Sequence, residues 1–337
     1  MKNCLKAIND RQNFFVVTPF RIILCLALCG FFAVFCALGP ALWRFYFGEG
    51  NTYVYSKGNL GVHFVDVGHG DCTIVQLPDG KVAVIDTGAE MYYPRVKTYL
   101  QQRIKPKKKR IDYLIISHPH EDHMGGLAKM TKDFRVGKII DHENMAEGDI
   151  IAGIIQFHAV GIHEGGDENE CSPIITIKYA HQIFVITGDA GHTTETAFME
   201  TPTAKELFGG DRAQETTVWL QIGHHGSRNS TGGDFLEFLR PDYGIISLGT
   251  LYNHPHDEVI NWLDHYGVKT LMTRDQGHIA VRCSGDTAKI FFAFRNPIDL
   301  TWVWLVIFVG TVFLCFVNQK IIKKPQIVHE KHLTHNI

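Results

Sequence analysis

Residues 117–123 form a stretch that is dense in metal-binding residue types. Three histidines and two carboxylates occupy positions 118–123, directly after the apolar residues 113–116. Histidines two apart in an extended loop project to the same side, and the Asp122–His123 pair can turn back toward a second point. A strand followed by such a loop suits two divalent metal ions placed a few ångströms apart, which is a hydrolytic arrangement.

Short strands and helices alternate between residues 57 and 295. Apolar runs bounded by turn residues predict strands at 62–67, 72–77, 82–86, 113–116, 174–177, 182–186, 218–222, 243–248, 269–272, 279–281 and 290–294. The first three predict an antiparallel meander, and 174–186 predicts a hairpin. Helices are predicted at 93–102, 234–239 and 257–266. This mixture favours an α/β fold in which two packed sheets carry helices on the outside.

Six segments, in order, resemble the metallo-β-lactamase superfamily and, more narrowly, the extracellular hydrolase domain of ComEC-type DNA-uptake proteins. They are FVDVGHGD at 64–71, IDTG at 85–88, HPHEDHMGG at 118–126, ITGDA at 186–190, IGHHGS at 222–227 and NHPH at 253–256. The resemblance implies a four-layer αββα sandwich over residues 57–296. His69 stands where that group carries Gln, and we expect it to be a turn residue.

The resemblance implies two divalent metal ions, with Zn²⁺ or Mn²⁺ as candidates. Their expected ligands are His118, His120, Asp122, His123, Asp189 and His225. The first two serve one ion, and Asp189 bridges both. Many superfamily members add a histidine to the first ion, but residues 166–172 carry none, as in the ComEC-type group. Fewer nitrogen ligands shift that site toward Mn²⁺ or Mg²⁺, and the alternative ligands by composition are His158, His163 and His181.

The expected catalytic residues are Asp122, which orients water, and His224, which faces the substrate or stabilises a leaving oxygen. Divalent ions lower the pKa of water from about 15.7 toward neutrality. Asp86, at a strand end, is expected to hold the metal loop through hydrogen bonds. Candidate substrate-binding residues are Ser227, which either caps the next segment or contacts a phosphate, and His254 and His256, one of which lines the pocket.

Two apolar runs flank this region, because residues 22–43 and 300–317 carry no charge. Each approaches the ~20 residues that a helix needs to cross a bilayer. We predict transmembrane helices at 21–46 and 299–318; the alternatives are a cleaved signal peptide for the first and a buried core helix for the second. Basic residues concentrate in the tails, 1–20 and 319–337, so both tails are expected in the cytoplasm and the hydrolase domain outside the cytoplasmic membrane.

Charge and cysteine content exclude other classes of protein. The net charge of −2 argues against a general polyanion binder, and the densest basic run, KPKKKR at 105–110, is expected to be a solvated turn. Of eight cysteines, only Cys72, Cys171 and Cys283 lie between the apolar runs, which excludes a disulfide framework and a CxxC metal site.

The resemblance implies phosphodiester hydrolysis, with DNA as the expected substrate and the membrane as a second partner. The alternatives are hydrolysis of an envelope polymer or a small-molecule phosphodiester, and a non-catalytic membrane scaffold that retains the fold. Two predicted spans do not make the multi-span channel of ComEC-type proteins. A role in DNA uptake would therefore require a separate channel protein.

Overall fold

The computed structural model describes residues 55–141, 143–161, 168–210, 213, 215–250 and 253–293. The chain divides into two units at Ser56, and the secondary structure given below belongs to the unit that begins at Lys57. The predicted transmembrane helices at 21–46 and 299–318 lie outside the described residues. Within the described ranges, no helix has both the length and the apolar character needed to cross a membrane.

Two seven-stranded sheets form the centre of this unit, which confirms the predicted α/β class with two sheets. The first sheet contains, in spatial order, β14 (Thr287–Ala293), β13 (His278–Ser284), β1 (Leu60–Phe64), β2 (Thr73–Gln76), β3 (Val82–Ile85), β4 (Arg110–Ile115) and β5 (Arg135–Ile140). The second contains β12 (Lys269–Met272), β11 (Tyr243–Ile246), β10 (Thr217–Gln221), β9 (Gln182–Ile186), β8 (Ile174–Tyr179), β7 (Ile155–His158) and β6 (Ile150–Ile151).

Helices pack on the outer face of each sheet. Those near the first sheet are α1 (Tyr93–Tyr99), which continues as a π-helical turn over Leu100–Ile104, α2 (Glu121–Met124) and α3 (Leu127–Asp133). The later ones are α4 (His192–Glu200), α5 (Pro202–Phe208), α6 (Gly233–Leu239), α7 (Asp257–His265) and α8 (Thr273–Gln276). Val96 and Met130 pack against the first sheet, and Phe198 and Phe235 against the second.

The apolar core between the two sheets fixes their relative position. Trp219 on β10 stacks on Phe184 and Tyr243, with ring centroids 5.6 and 4.2 Å away. Its indole Nε1 donates a hydrogen bond to Gln182 Oε1 at 2.9 Å. A buried tryptophan whose N–H is satisfied contributes its full apolar area without an unpaired donor, so this stack anchors the second sheet on the first.

The predicted meander of β1, β2 and β3 and the hairpin of β8 and β9 are confirmed. Residues 105–109 form the expected solvated turn, and Arg110 begins β4. The sequence analysis missed β5, β6, β7, α2, α3, α4, α5 and α8. β5 is an edge strand with the sequence RVGKII. Its exposed basic residues interrupt the alternation of apolar and polar residues that predicts a strand. The threonines of α4 lower its intrinsic helix propensity.

Strand direction gathers the six motif segments at one edge of the sheets. β3, β4 and β5 are parallel to one another, as are β9, β10, β11 and β12. β1 runs with β3 because both pair antiparallel to β2. The motif segments follow the carboxyl ends of β1, β3, β4, β9, β10 and β11, and the carboxyl ends of parallel strands are where α/β proteins place their sites.

A buried polar network closes the outer face of the first sheet. His63 on β1 is fully buried, with Nδ1 2.9 Å from Tyr99 Oη and Nε2 3.0 Å from Gln76 Oε1. Burial lowers the pKa of His63 to about 3. The folded chain therefore keeps this imidazole neutral at a pH where an unfolded histidine is protonated.

We predict that His63 makes the fold sensitive to acid. Between the unfolded pKa of 6.5 and the folded pKa of about 3, only the unfolded chain binds the proton. The free energy of unfolding should therefore fall with decreasing pH, by about 1.4 kcal/mol per pH unit from this residue. Denaturant titrations of the full chain at several pH values in this window would measure the free energy of unfolding. That free energy should change less steeply with pH for His63→Gln than for the wild type. The exposed control His265→Gln should keep the wild-type slope, and equal slopes for all three would contradict the prediction.

Candidate metal centre

The six predicted metal ligands come together where the strand ends meet. Four groups of side chains have ligand atoms within 4.8 Å of one another: His118–His120–Asp189, His123–Asp189–His225, His69–Asp122–His225 and Asp71–Asp86–His123. Asp189 belongs to two groups, and His225 and His123 also link neighbouring ones. The groups are therefore one continuous cluster with two separate points at which an ion could sit near Asp189.

The distances around His225 suit a shared ion. Two atoms that each bind an ion at about 2.1 Å lie no more than about 4.2 Å apart. Asp189 Oδ1 is 3.1 Å from His123 Nε2 and 3.6 Å from His225 Nε2. Asp122 Oδ2 is 3.3 Å from His225 Nε2 and 4.0 Å from His123 Nε2. All four separations fall within that limit.

The position of the first ion, around His118 and His120, also has two imidazoles. His118 Nε2 lies 3.8 Å from Asp189 Oδ2, and the rings of His118 and His120 are 4.6 Å apart. Glu168 Oε2 is 3.2 Å from His120 Nε2 and adds an exposed carboxylate to this side. Carboxylates beside only two imidazoles leave this position open to harder ions such as Mn²⁺.

Of the alternative ligands named from composition, neither described histidine joins the cluster. His158 on β7 lies 2.9 Å from Thr176 Oγ1, and His181 lies in the β8–β9 turn near Asp286. His163 is outside the described residues. Residues 166–172 correspond to the region where many superfamily members carry a third ligand of the first ion. In this region Ser172 Oγ lies 3.0 Å from His118 Nδ1.

The hydrogen bonds behind the histidines fix which nitrogen faces the cluster. His123 Nδ1–H donates to Asp86 Oδ2 at 2.9 Å, and His225 Nδ1–H donates to the carbonyl oxygen of Ser247 at 2.8 Å. Since Nδ1 carries the hydrogen in both rings, Nε2 presents its lone pair to the cluster when the ring is neutral. Metal-binding histidines are oriented in this way.

Buried atoms at the centre of the cluster lack hydrogen bonds of good geometry within the described chain. They are the Nε2 atoms of His118, His123 and His225, together with Oδ1 of Asp71 and Asp189. Leaving such atoms unsatisfied is costly in a protein interior. The Nε2 atoms of His123 and His225 face Asp189 Oδ1, and Nε2 of His118 faces Asp189 Oδ2. Divalent ions would satisfy these atoms, so the residues present fit a metal centre.

Asp86 holds both ends of the metal loop. Its Oδ1 accepts a hydrogen bond from Ser117 N at 2.8 Å, and its Oδ2 accepts from Ser117 Oγ at 2.7 Å as well as from His123. Asp86 itself has a left-handed backbone with φ of 59°. That conformation turns the chain sharply at the end of β3 and points the carboxylate under the loop.

Opposite charges shift the pKa values of the groups in this buried cluster. Burial lowers the pKa of His225, but the carboxylates of Asp189, Asp122 and Asp71 outweigh burial and raise this pKa to about 9. Burial raises the pKa of Asp189, but His123 and His225 outweigh it and hold the pKa well below its ordinary value. Metal binding therefore replaces protons on the histidines rather than adding charge to a neutral site.

His224 and His225 are consecutive residues with left-handed backbones, at φ of 45° and 55°. Such strain is typical of functional sites, and it is supported here by a hydrogen bond from His224 N to Gly188 O at 3.0 Å. The two rings differ in environment. His225 is buried, whereas His224 is partly exposed, with Nε2 3.7 Å from Asp189 Oδ2.

The predicted substrate-binding residues divide into two kinds. Ser227 is buried and its Oγ accepts a hydrogen bond from Asn229 N, while His256 Nδ1 accepts one from Arg228 N, so both hold the loop after β10. His254 lies nearer the cluster, with its ring 6.0 Å from that of His224.

Sequence reasoning missed two neighbours of the cluster, His69 and Asp71. The His69 ring lies 4.2 Å from the His225 ring, although we expected only a turn residue. Asp71 is buried behind His225, with Oδ1 3.9 Å from Nδ1, and burial raises its pKa to about 6. Both belong to the segment at 64–71, whose position after β1 was the available signal.

Comparisons with known proteins identify the family of the chain and some of its relatives. The sequence profile described as Metallo-beta-lactamase superfamily matches residues 65–250. The chain is 27% identical over 263 residues to ComE operon protein 3 of Bacillus subtilis (strain 168), covering 66% of this chain and 33% of that protein. It is 28% identical over 188 residues to Competence protein ComA of Neisseria gonorrhoeae, covering 49% and 24%. The matched region thus spans a third or less of these relatives.

A solved structure, the metallo-beta-lactamase fold protein YhfI from Bacillus subtilis, aligns with 66% of this chain and 99% of its own. The TM-score is 0.44 and the sequence identity 12%.

We predict that Asp86→Asn weakens metal binding while the chain still folds. Asparagine tolerates a left-handed backbone and can still accept from Ser117 N, but it lacks the charge that orients His123. Loss of such a partner lowers metal affinity about 10- to 100-fold. Equilibrium dialysis of the full chain against a metal chelator would measure the change. Asp79→Asn, in the exposed β2–β3 turn, is the matched control. An unchanged affinity for Asp86→Asn would refute the prediction.

Proposed function

The chain belongs to the metallo-β-lactamase superfamily, since the family profile covers more than half of it, and from that premise we propose that it is a binuclear metal-dependent phosphodiesterase that acts on DNA. The observation that carries the proposal is the set of buried, unsatisfied Nε2 and Oδ1 atoms aimed at one another. A scaffold would have no reason to retain them. Intact clusters of this kind therefore favour an enzyme over the non-catalytic alternative.

The ligands divide between two ions. His118, His120 and Asp189 would hold the first, and Asp122, His123, Asp189 and His225 would hold the second. The ions themselves supply Lewis acidity, which polarises a phosphate and acidifies water. Zn²⁺ and Mn²⁺ both suit this donor set.

The chain's own residues position the reacting groups. Asp189 has Oδ2 toward His118 and Oδ1 toward His123, so it would contribute one oxygen to each ion. Asp122 remains ionised beside His225 and orients water at the second position. Burial lowers the pKa of His224, so its neutral ring can donate a hydrogen bond to a substrate or leaving oxygen.

DNA is favoured as the substrate by the motif resemblance to DNA-uptake proteins and by the likeness to Competence protein ComA. The charged residues near the cluster add little: Arg228 pairs with Glu258, and Arg274 with Asp275. The chain matches a third or less of the length of these relatives, and we propose a separate DNA-uptake channel protein as a partner. We further propose anchoring by residues 21–46 and 299–318, with both tails cytoplasmic and the domain outside the membrane.

The test is a substrate panel on the full chain loaded with Mn²⁺ or Zn²⁺. We expect hydrolysis of bis-p-nitrophenyl phosphate and of single- or double-stranded DNA. Asp189→Asn and Asp122→Asn should each lower kcat/KM by about 10²-fold or more, the effect of removing one preorganised electrostatic group. Asp79→Asn, the exposed control, should retain wild-type activity.

The panel separates the competing functions. Cleavage of the small ester with no cleavage of either DNA would favour the small-molecule or envelope-polymer phosphodiesterase. If the metal-loaded chain cleaves none of these substrates, the proposed function is wrong and the scaffold alternative gains support.

A further inference from the structure

His69 lies beside the second ion position without having been assigned to it. Its side chain is 11% exposed, and its Nε2 is 3.9 Å from Asp122 Oδ2. With Asp122 and His225 it forms one of the groups whose ligand atoms lie within 4.8 Å of one another. The separation from Asp122 falls below the limit of about 4.2 Å for two atoms that share an ion.

The turn that carries His69 is held against the metal loop. Gly68 N donates to Asp66 Oδ1 at 3.0 Å, and the buried Asp66 pairs with Arg95 at 3.3 Å. On the other side, Asp71 N donates to Asp122 O at 3.2 Å. Gly70 has φ of +121°, and a Cβ there would collide with the same carbonyl oxygen of Asp122. These contacts place the imidazole before any ion binds.

Burial and packing limit where the ring can go. Its centroid is 4.2 Å from that of His225 and 5.8 Å from that of His254. The backbone at Gly249 approaches His69 N so closely that a Cβ would lie 2.7 Å away. A ring enclosed on these sides stays within reach of Asp122 and His225, the ligands with which it forms one group.

We propose that His69 is an additional ligand of the second ion. This inference rests on the two-ion site of the proposed function and deepens it. The second ion would then have three imidazoles and two carboxylates, whereas the first has His118, His120 and Asp189. The second position should therefore bind more tightly and prefer Zn²⁺, and the first should exchange readily and accept Mn²⁺.

Zn²⁺ titration of the metal-stripped full chain, in competition with a chromophoric chelator, tests this assignment. The wild type should show one tight and one weaker site. His69→Gln, which keeps a polar side chain of similar length, should weaken the tight site at least about tenfold and alter the visible absorption of the Co²⁺-loaded protein. His181→Gln, the same change at a partly exposed histidine in the β8–β9 turn, should alter neither.

X-ray absorption of the wild type with one equivalent of Zn²⁺ gives a second measurement that needs no variant. Three coordinating imidazoles support the assignment, and two overturn it. Unchanged affinity and Co²⁺ spectrum in His69→Gln would also overturn it, with the proposed hydrolysis left standing. Conversely, the wild type could bind two ions, with three imidazoles at the tight site, and cleave no substrate. That result would overturn the proposed hydrolysis and support the ligand assignment. A wild type that binds no metal would overturn both.

Discussion

The burial of several carboxylates in one histidine cluster is the constraint on which the rest of the structure depends. Asp71, Asp86, Asp122 and Asp189 lie within one cluster of imidazoles, and three of them are almost fully buried. Carboxylates this close repel one another, and burial deprives them of solvent, so positive charge must be present. Protons on His123 and His225 supply it in the metal-free chain. Divalent ions would supply it by displacing those protons.

That constraint explains the arrangement behind the cluster. A histidine whose Nε2 exchanges a proton for an ion has to be oriented through Nδ1. Asp86 accepts the Nδ1 hydrogen bond of His123, and the carbonyl oxygen of Ser247 accepts that of His225. The loops are in turn tied to both sheets, through Thr187 Oγ1 to Gln221 O and Thr87 N to His123 O. The core around Trp219 keeps those sheets in place. Apolar packing between the sheets thus determines distances among charged groups at their edge.

The sequence was sufficient to predict those parts of the fold and the site that follow a recurring local pattern. Each motif follows an apolar strand, so the gathering of His118, Asp189 and His225 could be predicted before the strand order was known. The position of residues 64–71 after β1 indicated that His69 and Asp71 lie at the same edge, but the sequence did not show that their side chains face Asp122 and His225. The residue pattern of a glycine-rich turn does not indicate whether its side chains face water or a buried cluster. The edge strand β5 and the threonine-rich α4 escaped prediction because their local preferences are weak.

The position of β1 between β2 and β13 affects folding of the chain during its synthesis. Leu60 pairs with Cys283 and Phe64 with Ile279, and His278 Nδ1 accepts a hydrogen bond from Asp66 N at the base of the His69 turn. One edge of β1 thus remains unpaired until nearly all of the described chain has left the ribosome, and an unpaired edge is open to wrong partners. β13 contributes no ligand to the cluster. It is nevertheless the strand that covers the second edge of β1. A fragment ending before His278 would contain every motif and still expose the strand that carries the first of them.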